Sequence, residues 1–292
     1  MNVYTAPFEY RRADTVEQAI GWLANDPENS KVLAGGHSLL PLMKLVLAQP
    51  QVLIDIGRIT ALKGIRIEGD DVQIGAFTTY REIVESPEVN EFCPLLAQAA
   101  QTVGDVQVRN RGTIGGSLCH ADPQADMPAA VLALDAELLI EGPSGQRTQS
   151  IDGFFLAPFI TSLAPGEILT AVKIPKLPAG AHTTYLKRPH PASGYPLVGV
   201  GIWLTVHDQV IDNGHIGITG IADLPFRARH LEDFLKGRLL DAATIAQAGP
   251  LAADDANLDD DPYKKNLLQV YVTRALSQFG ESFAAKGLNG KS

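Results

Sequence analysis

The feature that most constrains this chain is a glycine pair repeated in two similar settings: Gly35-Gly36 in "VLAGGHSLLPLMK" and Gly115-Gly116 in "TIGGSLCHAD". In each, a short apolar segment runs into Gly-Gly and then, at once or one residue later, into a serine, Ser117 or Ser38. Glycine lets the chain turn sharply and lets another group approach the main-chain N–H donors with no Cβ in the way. A strand that stops on such a pair and restarts as a helix is either a tight turn or a cradle for an anion at the helix start. Ser38 stands where it would cap the helix that follows. Two such motifs, 80 residues apart, shift the balance modestly from plain turns towards a ligand, and a pyrophosphate held between them would be satisfied largely by backbone donors.

Periodicity organises the chain around them. Thr15–Ala24 has helical spacing (Val16, Ala19, Ile20, Leu23) with Asp14 as N-cap, Val32–Ala34 is a short strand, Leu39–Ala48 a helix ended by Pro50, and Val52–Ile56 a second strand. Met1 to about Thr60 is therefore a small α/β unit. From Leu62 the pattern changes to a hairpin around Gly69-Asp70-Asp71, a helix over Pro94–Val103, a helix opened by Pro123 after the second glycine pair, and a strand ending at Gly142-Pro143-Ser144-Gly145. The strand in "EILTAVKIPKLPAG" closes this region, which puts the main boundary near Lys176. Beyond it, Leu197–Val206 and Val210–Ile221 form a long hairpin, and Ala228–Leu235, Asp241–Ala248 and Pro262–Phe279 are helical. The last carries one apolar stripe through Leu268, Tyr271, Val272, Ala275 and Phe279.

Composition removes several function classes. A net charge of −9 argues against a nucleic-acid binder, which needs a basic stripe. No apolar run reaches the ~18 residues of a membrane span. The N-terminus lacks the basic region and apolar core of a signal peptide, so a cytoplasmic chain is expected. Only two cysteines occur, Cys93 and Cys119, whereas an iron–sulfur cluster asks for about four thiolates. G-x-G-x-x-G and G-x-x-x-x-G-K-[ST] are both missing, and "GHSLL" and "GGSLC" lack the closing glycine of a nucleophile elbow. Cys119-His120 with Asp122 and Asp126 reads as a pocket-shaping loop, not a metal site. "DDANLDDD" fits the first calcium-loop positions from Asp255 but has Asp260 where glycine is wanted, so it reads as a solvated loop. In "TTYLKRPHPASGYPLVGVG", Lys187 and Arg188 interrupt a strand that Tyr195-Pro196 restarts. A surface lysine is the plain reading; a cation and a tyrosine beside a ring that gains negative charge is the functional one.

Four ordered segments, "VLAGGHSLLPLMK", "VRNRGTIGGSLCHADPQADMPA", "FFLAPFITSLAPGEILTAVKIP" and "YLKRPHPASGYPLVGVG", resemble the FAD-binding medium subunits of molybdenum hydroxylases. The likeness is greatest to the aerobic carbon monoxide dehydrogenase type and extends to the wider xanthine dehydrogenase family. The resemblance implies an α+β fold with a vanillyl-alcohol-oxidase (PCMH)-type FAD domain over 1–175. That domain would be built of α/β subdomains 1–59 and 60–175. A C-terminal domain over 176–292, an antiparallel sheet with a helical bundle, would follow. It carries pyrophosphate binding onto Ala34, Gly35, Gly36, His37 and Ser38 and onto Thr113, Ile114, Gly115, Gly116 and Ser117. Asp126 matches a position on the nucleotide side of FAD, Leu169 and Lys187 positions against the flavin, and Tyr195 a neighbour of the ring.

The implied function is electron transfer within an assembly. A small subunit with [2Fe–2S] clusters would donate to FAD, a large subunit would hold the molybdenum cofactor, and a dimer of heterotrimers would be the unit. Electrons would leave to an external acceptor such as a quinone, with peripheral membrane contact through the partners. The shortage of cysteine agrees, since FAD is the one redox centre such a chain could hold. Two competitors are a self-sufficient FAD-dependent oxidase or reductase and a non-catalytic nucleotide-binding module.

Overall fold

The computed structural model describes residues 5–256, 258 and 261–289, with side chains described as far as 280. It begins with a parallel three-stranded sheet, order β1-β3-β2, made by β1 (Glu9–Arg12), α1 (Val16–Asn25), β2 (Ser30–Leu33), α2 (Leu39–Lys44) and β3 (Val52–Asp55). Ala19, Ile20 and Leu23, one face of α1, pack on Ile54, Ile56 and Leu62. The cap of α1 is Thr15 and not Asp14: Thr15 Oγ1 accepts from Gln18 N at 3.2 Å, and the Gln18 side chain reaches back to Asp14 N at 2.8 Å. Helix α2 is shorter than its apolar run suggests. After Lys44 the chain reverses through Val46 at φ 60°, and Leu47 N donates to Leu42 O, which leaves Leu45 and Leu47 exposed.

A second unit follows a 3-10 turn at Thr60–Leu62. Its elements are β4 (Ile65–Glu68), β5 (Asp71–Gly75), α3 (Tyr80–Glu85), α4 (Pro87–Phe92), α5 (Pro94–Thr102), α6 (Val106–Arg109), α7 (Ile114–His120) and α8 (Met127–Ala133). Strands β6 (Glu137–Gly142), β7 (Gly145–Ser150), β8 (Phe155–Ala157), β9 (Ile160–Thr161) and β10 (Ile168–Pro175) complete it. The sheet is antiparallel, order β4-β5-β10-β6-β7. Helix α8 opens at Met127 and not at Pro123, with Pro128 in its first turn. Every residue of α8 is buried, because it lies between this unit and the next.

The last part is a four-stranded antiparallel sheet of β11 (His182–Pro189), β12 (Pro196–His207), β13 (Val210–Thr219) and β14 (Phe226–Arg227). It carries α9 (Arg229–Leu235), α10 (Ala242–Asp255) and α11 (Pro262–Asn289). The two-residue period of β12 builds a middle layer. Val198, Val200, Ile202 and Leu204 join the core under α9–α11, while Trp203 on the other face joins the core of the second unit and donates its indole N–H to Ala133 O at 2.7 Å. A Cβ at Gly217 of β13 would lie 1.9 Å from Ala129 O, so glycine there is what lets α8 settle on the sheet. Asp241 caps α10 through Thr244 N, 2.8 Å. Of the acidic run, Asn257, Asp259 and Asp260 lie outside the described residues. The Asp255 side chain is 6% exposed and accepts from the α9 backbone at His230 N and Leu231 N.

Candidate functional site

Strand β2 runs straight into the first glycine loop. Gly36 has φ +77°, a left-handed conformation that favours glycine. Gly35 answers a different need: a Cβ there would stand 2.0 Å from Arg111 O, so its bare backbone is where the two loops touch. Among the described residues, no protein acceptor meets the N–H groups of Gly35, Gly36, His37 or Ser38. Ser38 occupies the N-cap position of α2 with helical angles and makes no side-chain cap bond. His37 Nδ1 lies 3.3 Å from Gly35 O.

The second loop is differently committed. Thr113 Oγ1 accepts from Gly116 N at 3.1 Å, Ile114 N donates to Thr78 O at 3.0 Å, and Gly115 N donates to Ala76 O at 2.9 Å. A Cβ on Gly115 would come within 2.6 Å of Ala76 Cβ, so this glycine seats the start of α7 on the end of β5. Ile114 is fully buried and turns into the core. A Cβ on Gly116 would lie 3.8 Å from Ala34 Cβ, so the two loops are neighbours facing one space.

That space is a cavity of about 700 Å³, in the size range of small-ligand sites. Ala34 to Ser38 line one wall; Thr113, Gly115, Gly116 and Ser117 line another. Asp126, Leu169 and Tyr195 complete it, so every sequence-predicted site residue reaches the cavity except Ile114 and Lys187. Tyr80, His120, Asp122 and Phe159 line it as well, and were not singled out as ligand contacts from the sequence. Phe159, at φ +61°, packs its ring 5.2 Å from that of His120. Burial lowers the His120 pKa against the opposing charge of Asp122, and pushes the Cys119 thiol up to about 12, away from thiolate chemistry. Tyr195 is 39% exposed; burial raises its pKa, helped by the carboxylates of Asp122 and Asp126, and the nearby Ser38 hydroxyl opposes this.

Lys187 stands one layer behind the wall. Tyr185 and Lys187, two apart on β11, point to the same side of the sheet and converge on Asp126. Lys187 Nζ donates to Asp126 Oδ2 at 2.8 Å and to Thr102 O at 3.0 Å, and Tyr185 Oη donates to Asp126 Oδ1 at 2.8 Å. Asp126 is 5% exposed. Burial raises its pKa, and the Lys187 charge and these hydrogen bonds work against that rise. The sequence signal for Tyr185 was its i, i+2 spacing to Lys187; Phe159 gave none.

The residues suit FAD. A row of unpaired N–H groups matches a diphosphate, a buried carboxylate matches hydroxyl or imide donors, and Leu169 and the aromatic side chains match a flat apolar ring. Among the described residues, no group of three His, Cys, Asp or Glu side chains is placed to hold a metal ion, and no helix is long and apolar enough to cross a membrane.

Comparisons with known proteins agree with the geometry. Residues 6–177 match the family described as "FAD binding domain in molybdopterin dehydrogenase", and 183–279 match "CO dehydrogenase flavoprotein C-terminal domain". The chain is 37% identical to the carbon monoxide dehydrogenase medium chain of Hydrogenophaga pseudoflava, over 92% of this chain and 96% of that one. It is 32% identical to the glyceraldehyde dehydrogenase medium chain of Sulfolobus acidocaldarius, over 94% and 99%. It superposes on a chain of the H. pseudoflava carbon monoxide dehydrogenase, solved in a form lacking the Mo-pyranopterin moiety of the molybdenum cofactor. That superposition has TM-score 0.90 and covers 94% and 97% of the two chains. With its PCMH-type α+β fold, its C-terminal sheet and helices and its FAD cofactor, the chain belongs to the FAD-binding subunits of the molybdenum hydroxylases, a family of oxidoreductase complexes.

Proposed function

We propose that this chain is the electron-transferring subunit of a molybdenum hydroxylase complex, receiving electrons from the [2Fe–2S] clusters of a small partner and passing them to an external acceptor. Oxidation of the substrate then belongs to a large partner holding the molybdenum cofactor. The similar medium chains carry names as different as carbon monoxide and glyceraldehyde dehydrogenase, which fits a shared part whose chemistry does not depend on the substrate. Reversible uptake and release of electrons is what FAD supplies when bound. The chain's own residues hold it and set its surroundings.

The observation that carries this reading is the row of N–H groups from Gly35 to Ser38 that meet no protein acceptor among the described residues, in a loop that lines the same cavity as the second glycine loop. In this reading Ala34–Ser38 supply most of the main-chain donors to the diphosphate. Thr113–Ser117 supply shape and hydroxyls: Thr113 Oγ1 accepts from Gly116 N, so its own proton is available to a phosphate oxygen. Asp126 receives donors on the nucleotide side, Leu169 supports the ring, and Tyr195 stands beside it. Lys187 acts through Asp126, fixing its charge. We further assign residues 1–175 to the FAD domain (1–59 and 60–175) and 176–292 to a C-terminal domain, in a cytoplasmic complex.

The test is purification of the complex from its native host. A flavin absorption spectrum released by denaturation, with molybdenum and iron in the same complex, is expected. A complex with no extractable FAD, or a lone chain that oxidises a substrate unaided, would overturn the proposal.

A further inference from the structure

We propose that Tyr185 is a positioning residue for the FAD site, its hydroxyl fixing the orientation of the carboxylate of Asp126, a residue of the cavity lining; this rests on the reading of that cavity given above.

The carboxylate is held from one strand at both oxygens. Lys187 Nζ takes Oδ2 and Tyr185 Oη takes Oδ1, each at 2.8 Å. Lys187 alone would leave the group free to swing about that one contact; the second donor removes the freedom. Among the described residues, no other side chain does the same work at Oδ1. The Thr102 hydroxyl lies 3.4 Å away, but its single proton goes to Ala99 O at 2.8 Å. Asp126 occupies the N-cap position of α8 and makes no side-chain cap bond there, so its oxygens are committed to β11 and not to its own helix.

The sheet is shaped to put the phenol in place. Gly199 and Gly201 of β12 pair with Lys187 and Tyr185 in register. A Cβ at Gly199 would lie 2.4 Å from Tyr185 Oη, and one at Gly201 would lie 3.4 Å from the ring. Tyr185 itself is 7% exposed and its side-chain oxygen points to Asp126. A strand of the C-terminal half thus reaches across and sets a group on the cavity wall.

The experiment uses the full chain, freed of flavin and titrated with FAD across pH. Tyr185→Phe keeps the ring and removes one hydrogen bond to a charged acceptor, so FAD affinity is expected to fall about tenfold. The groups facing Asp126 are Lys187 and Tyr185 from β11, Tyr80 from α3 and Tyr195 ahead of β12. Because the hydroxyl favours the ionised carboxylate, its loss should let Asp126 protonate at higher pH and move the acid limb of FAD binding upward. His120 titrates alike in both proteins. Should Tyr185→Phe fail to fold, Gly199→Ala, which displaces the same hydroxyl, is expected to shift affinity and acid limb in the same directions. Unchanged affinity, or a loss equal at every pH, would overturn the inference. A wild-type chain that binds no FAD would overturn the cavity reading instead.

Discussion

From Gly35 to Ser38 the main chain turns four consecutive N–H groups away from every protein acceptor among the described residues. From Ile114 to Gly116 three consecutive N–H groups are bonded to Thr78 O, Ala76 O and Thr113 Oγ1. The letters of the motifs are nearly the same, yet one loop keeps its donors for something else and the other has used them to seat a helix. Buried backbone donors are almost always paired, as those of the second loop are; the donors of the first loop are half-buried or exposed and stay open to water or a ligand. The glycines divide in the same way. Gly36 supplies a left-handed turn, Gly35 a point of loop contact, and Gly115 a helix-to-strand contact.

The largest effect that would test this difference is at Gly35. Gly35→Ala places a Cβ 2.0 Å from a main-chain oxygen, Arg111 O, which cannot swing aside as a side chain would. The loops must part, and we expect at least ~3 kcal/mol of destabilisation together with loss of bound FAD. Thermal melting and flavin content of the purified chain would show both; a variant with wild-type values of either would mean that the loops do not depend on that contact.

A smaller and more selective effect is expected at Gly115. The added methyl of Gly115→Ala meets Ala76 Cβ at 2.6 Å and Ala76 O at 2.7 Å, which costs roughly 1–3 kcal/mol as α7 lifts from β5. Since the N–H groups there already point inward, the folded fraction should bind FAD with affinity close to wild type. A variant of unchanged melting temperature and much weaker binding would reverse the roles given to the two loops.

How much of this could be read from the amino acids follows from range. Elements set by local periodicity, such as α1, the β4–β5 hairpin and β12–β13, come directly from spacing and turn residues. Ends set by tertiary contacts do not. Helix α8 starts late because Thr219 Oγ1 donates to Pro123 O and Ala125 O, 96 and 94 residues away, whereas α2 stops early through a local turn, Val46 at φ 60° with Leu47 N on Leu42 O. Residues of both glycine loops line one cavity with Asp126, Leu169 and Tyr195. Burial of Lys187 behind Asp126 was not legible, because a lysine in a strand gives no sign of which carboxylate lies opposite. Phe159 was invisible for a related reason: nothing in Pro158-Phe159 states that the hairpin tip will fold back onto Ala121 O, where Phe159 N donates at 2.9 Å.

The smallest effect concerns pH, and it separates the two loops through the helix that only the second one starts. Helix α7 ends on His120, half-buried against the Phe159 ring, and burial lowers its pKa below the ordinary imidazole value. Unfolding restores that ordinary value near 6.5, so below it the unfolded chain binds more protons than the folded one. Stability from this source is complete above about pH 7 and falls as the pH drops through 6.5 towards the lower folded value. In His120→Gln the contribution is absent, so the stability difference between wild type and variant should change with pH over that interval and flatten above it. Melting of the flavin-free chain at a series of pH values would measure this, with a change smaller than either glycine substitution produces. A difference that stays constant from neutral to acid pH would mean that His120 is as well solvated in the fold as in the unfolded chain, and that the wall after the second loop is open to water.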